Sequence, residues 1–172
     1  MENFLISEFV EEDWGVYKEL RLESLKDSPN SFGSTFEEEI EFAEEKWKSR
    51  LVPGSNSIRI LPLVALFNES PVGLAIGVLH SKEDNTAHIY QMWVSKSHRG
   101  SGIGSALLKR TEAWANELSL ESLSLEVATS NSEAVSLYKS VGFLPCGAQE
   151  ALRAGSEVLA QSMILELKSR NA

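Results

Sequence analysis

The 172-residue chain is 42% hydrophobic and carries a formal net charge of −9, a composition that suits one soluble globular domain with a real core. The acidity speaks against a nucleic-acid partner, whose binding relies on Lys and Arg neutralising phosphates. It is compatible with attraction of cationic acceptors, although acidity also simply keeps a protein soluble. No apolar run approaches the roughly 20 residues of a membrane helix. The start lacks the basic, apolar and small-residue pattern of a signal peptide, so cytoplasm is the expected location. A single cysteine, Cys146, leaves no internal disulfide framework and no multi-cysteine metal site.

In chain order, Phe4 to Val10 reads as a first strand. Asp13 is positioned to cap a helix running to about Lys26, with Trp14, Val16, Tyr17, Leu20 and Leu25 on its apolar side. Thr35-Phe36-Glu37-Glu38 fits a capping box. It opens a second helix that places Phe36, Ile40, Trp47 and Leu51 on one face, with Ala43 between them, and ends at Pro53-Gly54. Its glutamates, Glu37 to Glu39 with Glu44 and Glu45, read as a solvated face that could also draw a cation. Ser57 to Phe67 is a strand in which Pro62 marks an edge or a bulge. Asn68 to Pro71 is a turn, and Val72 to Leu79 is a strand interrupted at Gly73 and Gly77.

Thr86 to Leu118 is the most informative stretch. An apolar-rich strand, Ala87 to Val94, enters a polar turn, then Arg99-Gly100-Ser101-Gly102-Ile103-Gly104, then a helix. Glycines let main-chain N–H groups approach a ligand. A helix start adds unpaired N–H groups and a partial positive charge. Together they form an anion site suited to a pyrophosphate, with Arg99 adding a full charge at its mouth. The spacing and late position do not fit a dinucleotide fingerprint, and no Gly-Lys-Ser/Thr of a P-loop is present. Downstream, Leu123, Leu125 and Val127 mark a half-buried strand. Asn131-Ser132 caps a short helix that stops at Gly142, and Val158 to Leu167 closes the chain, with a further strand between Cys146 and Leu152. The order predicts a single α/β domain over residues 1–172, with about seven strands and about four helices.

Two motifs in this order resemble the GNAT superfamily of acyl-CoA-dependent N-acetyltransferases. The first is Arg99-Gly100-Ser101-Gly102-Ile103-Gly104. The second is Asn131, Ala134, Leu137-Tyr138 and Gly142-Phe143. The resemblance covers nearly the whole chain. It implies a mixed, mostly antiparallel twisted sheet flanked by helices, and acetyl transfer from acetyl-CoA to an amine of a small molecule or peptide. The implied cofactor contacts are Met92, Trp93, Val94, the main chain from Arg99 through Gly100, Ser101, Gly102, Ile103 and Gly104 to Ser105, together with Asn131 and Tyr138.

Within that set, Met92 matches the position whose N–H polarises the thioester carbonyl. Tyr138 matches the general acid for the leaving thiolate, and also reads as a packing residue of its helix. Asn131 either bonds the pantetheine or caps its helix. His88 matches the general base, sharing a strand face with Tyr90, Met92 and Val94 by the two-residue period. A structural histidine is the plain reading of His88, with Tyr90, Glu126 or a water as other proton acceptors. Cys146 reads as a buried thiol, which favours direct attack in a ternary complex over an acetyl-enzyme. His80 and His98 lack partners at metal-ligand spacing, so no metal is expected. A non-catalytic acyl-CoA-binding module and an N-terminal acetyltransferase are the rival functions. The acceptor and the oligomeric state are not legible, and a homodimer is a family-level expectation.

Overall fold

A computed structural model describes residues 3–168; Met1 and Glu2, which open the stretch read for a leader, lie outside it, as do residues 169–172. Strands are β1 (Phe4–Glu8), β2 (Arg59–Phe67), β3 (Ser70–Leu79), β4 (Thr86–Val94), β5 (Ser122–Ala128), β6 (Leu144–Pro145), β7 (Glu150–Ala151) and β8 (Leu159–Glu166). Helices are α1 (Trp14–Asp27), α2 (Phe36–Glu39), α3 (Glu44–Ser49), α4 (Ile103–Glu117) and α5 (Ser132–Val141). The sheet runs β1-β2-β3-β4-β5-β8-β6, with β7 also on β8. All pairings are antiparallel except β4 with β5. The mixed, mostly antiparallel α/β architecture expected from the sequence is therefore present, with one more strand and one more helix.

Helices cover both faces of the sheet. On one, α4 and α5 bury Ile103, Leu107, Leu108, Trp114 and Tyr138 against Ala87, Ile89, Leu123 and Leu125. On the other, Tyr17, Leu20 and Leu25 of α1 and Trp47 of α3 pack on Val64, Leu74, Ile76 and Trp93. Val16 is exposed, on the side of α1 away from this core.

The expected single second helix is two short ones. Thr35 caps α2 by accepting the Glu38 N–H at 3.2 Å. The chain then breaks between Glu39 and Glu44, so Ile40 and Ala43 are exposed rather than sharing a face with buried Trp47 and Leu51. Glu39 ends α2 at this break. Its carboxylate is fully buried and takes Arg21 in a bidentate pair, at 3.0 and 2.9 Å, and Arg50 at 2.9 Å. Glu39 is thus the structural anchor of α1, α2 and α3, not part of a solvated face.

Pro62 lies in neither an edge strand nor a bulge. Its carbonyl accepts the Phe9 N–H at 2.8 Å, so its donor-free nitrogen faces the side where β1 has already ended. The glycines of β3 do not interrupt it; a Cβ on Gly77 would lie 2.9 Å from the Trp114 ring, so this residue lets α4 sit close to the sheet. Asn68 and Glu69, with φ of 47° and 67°, form the two-residue turn between β2 and β3.

Burial would raise the Glu39 carboxyl pKa, but the hydrogen bonds and charges of Arg21 and Arg50 outweigh it and hold the group below the ordinary range. A depressed folded-state pKa gives stability that is complete above the unfolded value and is lost as pH falls through the folded one. Glu39→Ala leaves Arg21 and Arg50 without their anion and should lower stability by about 3–5 kcal/mol in urea denaturation. It should also flatten the loss of stability below about pH 4.5. A change under about 1 kcal/mol would show that the triad is not an anchor.

Candidate active site

Strand β4 carries a bulge at its centre. Pairing with β3 passes from Leu74–Trp93 to Ile76–Tyr90, so Gln91 and Met92 stand opposite Ala75 alone. Gln91 has φ of 58°, a left-handed conformation that is unfavourable for a side-chain-bearing residue. Its side chain is held from α1, where the buried Tyr17 hydroxyl donates to Gln91 Oε1 at 2.7 Å.

The bulge reverses the alternation of side chains. Before it, Ala87 and Ile89 face the α4 core; after it, Trp93 faces the α1 core and Met92 and Val94 pack toward α4. His88 and Tyr90 pair with Val78 and Ile76 and share their α1-side face. The expectation that His88, Tyr90, Met92 and Val94 line one face is therefore corrected: an extra residue in the strand shifts the two-residue period by one.

The same region opens the sheet. Strands β4 and β5 pair only from Thr86–Ser122 to Ile89–Leu125. Beyond that point β4 stays with β3 while β5 continues along β8. Two cavities occupy the wedge between them. The larger, about 1000 Å³, lies between the start of α4 and α5. The smaller, about 410 Å³, is lined by His88, Tyr90, Glu126 and the loop at Ser31 to Gly33. Met92, Asn131 and Tyr138 line both.

The larger cavity gathers most of the cofactor residues expected from the sequence. Arg99, Gly100, Gly102, Gly104 and Ser105 line it, with Met92, Trp93, Val94, Asn131 and Tyr138. Ser101 and Ile103 do not: the Ser101 hydroxyl donates to the His98 carbonyl, and the Ile103 side chain is buried in the core. Gly102 caps α4 with φ of 91°, in the left-handed region. The first turn of this 15-residue helix leaves N–H groups free of intrahelical partners and aimed at the cavity end. A Cβ on Gly104 would lie 2.8 Å from Leu137, so this glycine lets α4 and α5 meet below the cavity.

Asp27, at the end of α1, ties the mouth together and has no motif in the sequence to announce it. Its Oδ2 accepts the Trp93 indole N–H at 3.0 Å and Arg99 Nη2 at 2.7 Å. Arg99 Nε also donates to the Val94 carbonyl at 2.9 Å. Burial would raise the Asp27 pKa, but the hydrogen bonds from Ser28, Trp93 and Arg99, with the Arg99 charge, bring it below the ordinary value.

Asn131 caps α5 by accepting the Ala134 N–H at 3.2 Å, and its amide reaches Ser31 Oγ at 3.4 Å. Tyr138 is buried against Phe143, ring centroids 6.0 Å apart, and burial raises its phenol well above the ordinary pKa. His88 lines the smaller cavity. Partial burial and the neighbouring His80 lower its pKa, against smaller opposing effects of Asp84 and Glu126. Cys146 is exposed, not the expected buried thiol, because β6 lies at the sheet edge. It lines neither cavity. Among the described residues, no group of three or more His, Cys, Asp or Glu is placed to hold a metal ion. No described helix is long and apolar enough to cross a membrane.

A family model described as the acetyltransferase (GNAT) family matches residues 17–143. The chain belongs to this family. A streptothricin acetyltransferase of Streptomyces lavendulae is 34% identical over 79 residues, 46% of this chain and 42% of that protein. The matches to such curated relatives span less than half of their length. A GNAT-family acetyltransferase from Streptococcus pneumoniae superposes with a TM-score of 0.79 at 22% identity, covering 96% of this chain and 99% of that one. The structure of yncA from Salmonella typhimurium with its cofactor acetyl-CoA gives 0.73 at 19% identity, covering 99% and 97%. These structural likenesses establish the shared GNAT fold.

Tyr17→Phe removes the hydroxyl that pins Gln91 and should cost about 1 kcal/mol in urea denaturation. It should also broaden or shift the amide resonances of Gln91 and Met92. An unchanged midpoint and unchanged amides would mean the bulge stands without α1.

Proposed function

We propose that this family member is an acetyl-CoA-dependent N-acetyltransferase acting on an amine of a small molecule or peptide, by direct attack within a ternary complex. The observation that carries the reading is the junction of two cavities at Met92, Asn131 and Tyr138. A thioester entering from the α4 side and an amine entering from the His88 side would meet there.

The larger cavity fits acetyl-CoA by its donors. Main-chain N–H groups from Arg99 to Ser105 and the α4 dipole would hold the pyrophosphate, with Arg99 at the mouth. Ser101 and Ile103 do not line this cavity and their side chains are engaged elsewhere, so the role falls to Gly100, Gly102, Gly104 and Ser105. Trp93 acts as scaffold through Asp27. Displaced from a regular register by the bulge, the Met92 N–H is the candidate donor to the thioester carbonyl, where negative charge grows as the amine attacks. Val94 and Asn131 would border the pantetheine.

The amine must be neutral to attack. His88, with its pKa held below the ordinary value, is unprotonated at neutral pH and suits the role of proton acceptor. Tyr138 keeps its proton because it is buried. Full transfer from so weak an acid to a thiolate, whose own thiol titrates near about 8.5, is uphill. Hydrogen-bond donation to the sulfur as charge develops is the contribution its surroundings support. The exposed Cys146 lines neither cavity, which supports direct attack. Streptothricin, named for the relative, is one amine-bearing acceptor to include in a screen.

Calorimetry should show acetyl-CoA binding that weakens at least about tenfold in Arg99→Ala, the loss of one charge-assisted contact. No binding by the wild type would remove the cofactor assignment. On an acceptor panel of polyamines, aminoglycosides, streptothricin, amino acids and N-terminal peptides, thiol release should identify a substrate. Binding without turnover across that panel would favour a non-catalytic acyl-CoA-binding module.

With a substrate in hand, Tyr138→Phe should lower kcat by about 10- to 100-fold with little change in acetyl-CoA affinity. Unchanged kcat would take Tyr138 out of the reaction. The acid limb of the kcat/KM profile should fall below the ordinary histidine value of about 6.5, and His88→Gln should abolish that limb. The sign follows from a base that must be neutral and whose pKa is lowered. A limb that persists in His88→Gln would assign the proton to another group.

A further inference from the structure

His80 stands beside the smaller cavity without a role in the reaction described above. Its Nδ1 lies 2.6 Å from the Asn56 carbonyl oxygen. A carbonyl only accepts, so Nδ1 carries the hydrogen. In a neutral imidazole the other nitrogen is then an acceptor. That nitrogen, Nε2, lies 2.9 Å from the Tyr90 hydroxyl. Tyr90 therefore donates its one hydrogen to His80, and its oxygen is left with lone pairs alone.

Tyr90 lines the smaller cavity together with His88 and Glu126. Its ring stacks on His88 at 26°, with centroids 6.1 Å apart, so the two are neighbours on one face of β4. An ionised Glu126 has only acceptors. Burial and the nearby Glu126 charge raise the Tyr90 phenol, so it holds the proton that it gives to His80. A neutral His88 adds one acceptor nitrogen and one N–H donor, and Gln91, Ser124 and Ser162 elsewhere in the lining carry donors too, so the acceptor-only part is Tyr90 with Glu126. An alkylammonium has three donors and no acceptor, the complement of such a wall.

We propose that Tyr90, oriented by the Asn56–His80–Tyr90 hydrogen-bond chain, forms with Glu126 an acceptor-only wall that selects a primary alkylammonium head group in the smaller cavity. Tyr90 is the contact residue and His80 the positioning residue. This rests on the reading of that cavity as the amine side of an N-acetyltransferase. At Tyr90 and Glu126 an amine is distinguished from an alcohol of the same shape, because an alcohol has one donor for these acceptors and an alkylammonium three.

The test uses the full chain with labelled histidine, at about pH 8, above the ordinary imidazole value near 6.5. Long-range nitrogen–proton spectra should show His80 as the Nδ1–H tautomer. Titration with n-butylamine should shift the His88 and His80 signals to saturation, and n-butanol should not. Tyr90→Phe should weaken butylamine binding about tenfold or more, the loss of a hydrogen bond to a charged group. His80→Gln, whose amide oxygen can accept from Tyr90, should bind nearly as the wild type does; His80→Leu should weaken binding severalfold. Both positions are substantially exposed, so these variants are expected to fold, and retained amide spectra will show it.

An Nε2–H tautomer would overturn the proposal. So would unsaturable butylamine binding, equal binding of butanol, or wild-type affinity in Tyr90→Phe or His80→Leu. None of these measurements needs acetyl-CoA. A chain that binds butylamine as described but not acetyl-CoA would lose the acetyltransfer reading and keep the wall. The reverse result would lose only the wall.

Discussion

The bulge at Gln91 is the constraint on which the site depends. One extra residue in β4 does three things together. It turns Met92 out of regular pairing with β3, it moves Met92 and Val94 to the face opposite His88 and Tyr90, and it accompanies the parting of β4 from β5. Without it, the parallel pairing of β4 with β5 could continue and close the wedge that both cavities share. A left-handed residue other than glycine costs on the order of 1 kcal/mol, so the surrounding structure must impose it. The buried Tyr17 hydroxyl holds the Gln91 side chain from α1.

The constraint extends beyond one hydrogen bond. Tyr17 packs on Trp47 and Phe9, with ring centroids 5.6 Å away in each case. The helix that carries it is joined to α2 and to the end of α3 by Glu39. At its other end the same helix presents Asp27 to Trp93 and Arg99. Helix α1 thus touches β4 at the bulge and just beyond it. The first third of the chain is a brace for the fourth strand as well as a wall of the smaller cavity.

Much of this was legible in the sequence, for reasons that differ by residue. Gly100, Gly102 and Gly104 declare themselves because backbone conformation and close helix packing exclude other side chains. Asn131 and Gly142 mark helix ends through capping chemistry, and α5 runs between them as expected. The bulge left no such trace. Gln91 is neither glycine nor asparagine, and its side chain is held by Tyr17, 74 residues earlier in the chain. Periodicity alone therefore put His88 and Met92 on one face. Glu39 and Asp27 were hidden for the same reason. A glutamate in an acidic run and an aspartate at a helix end look solvated until the arginines that meet them are placed in space.

The order of elements also sets how the reaction could be divided. The start of α4 and the capped α5 come from the second half of the chain, while the smaller cavity borrows Ser31 to Gly33 from the first. The residues proposed for the cofactor lie mostly in local motifs, and those proposed for the acceptor in contacts between distant segments. The central claim is that both meet at the wedge between β4 and β5. The most direct measurement is a map of main-chain amide shifts on adding acetyl-CoA to labelled protein. The account predicts the largest changes at Met92, at Gly102 to Ser105 and at Asn131 to Ala134, with α3 unaffected. Changes confined to residues away from the wedge, with Met92 silent, would contradict it.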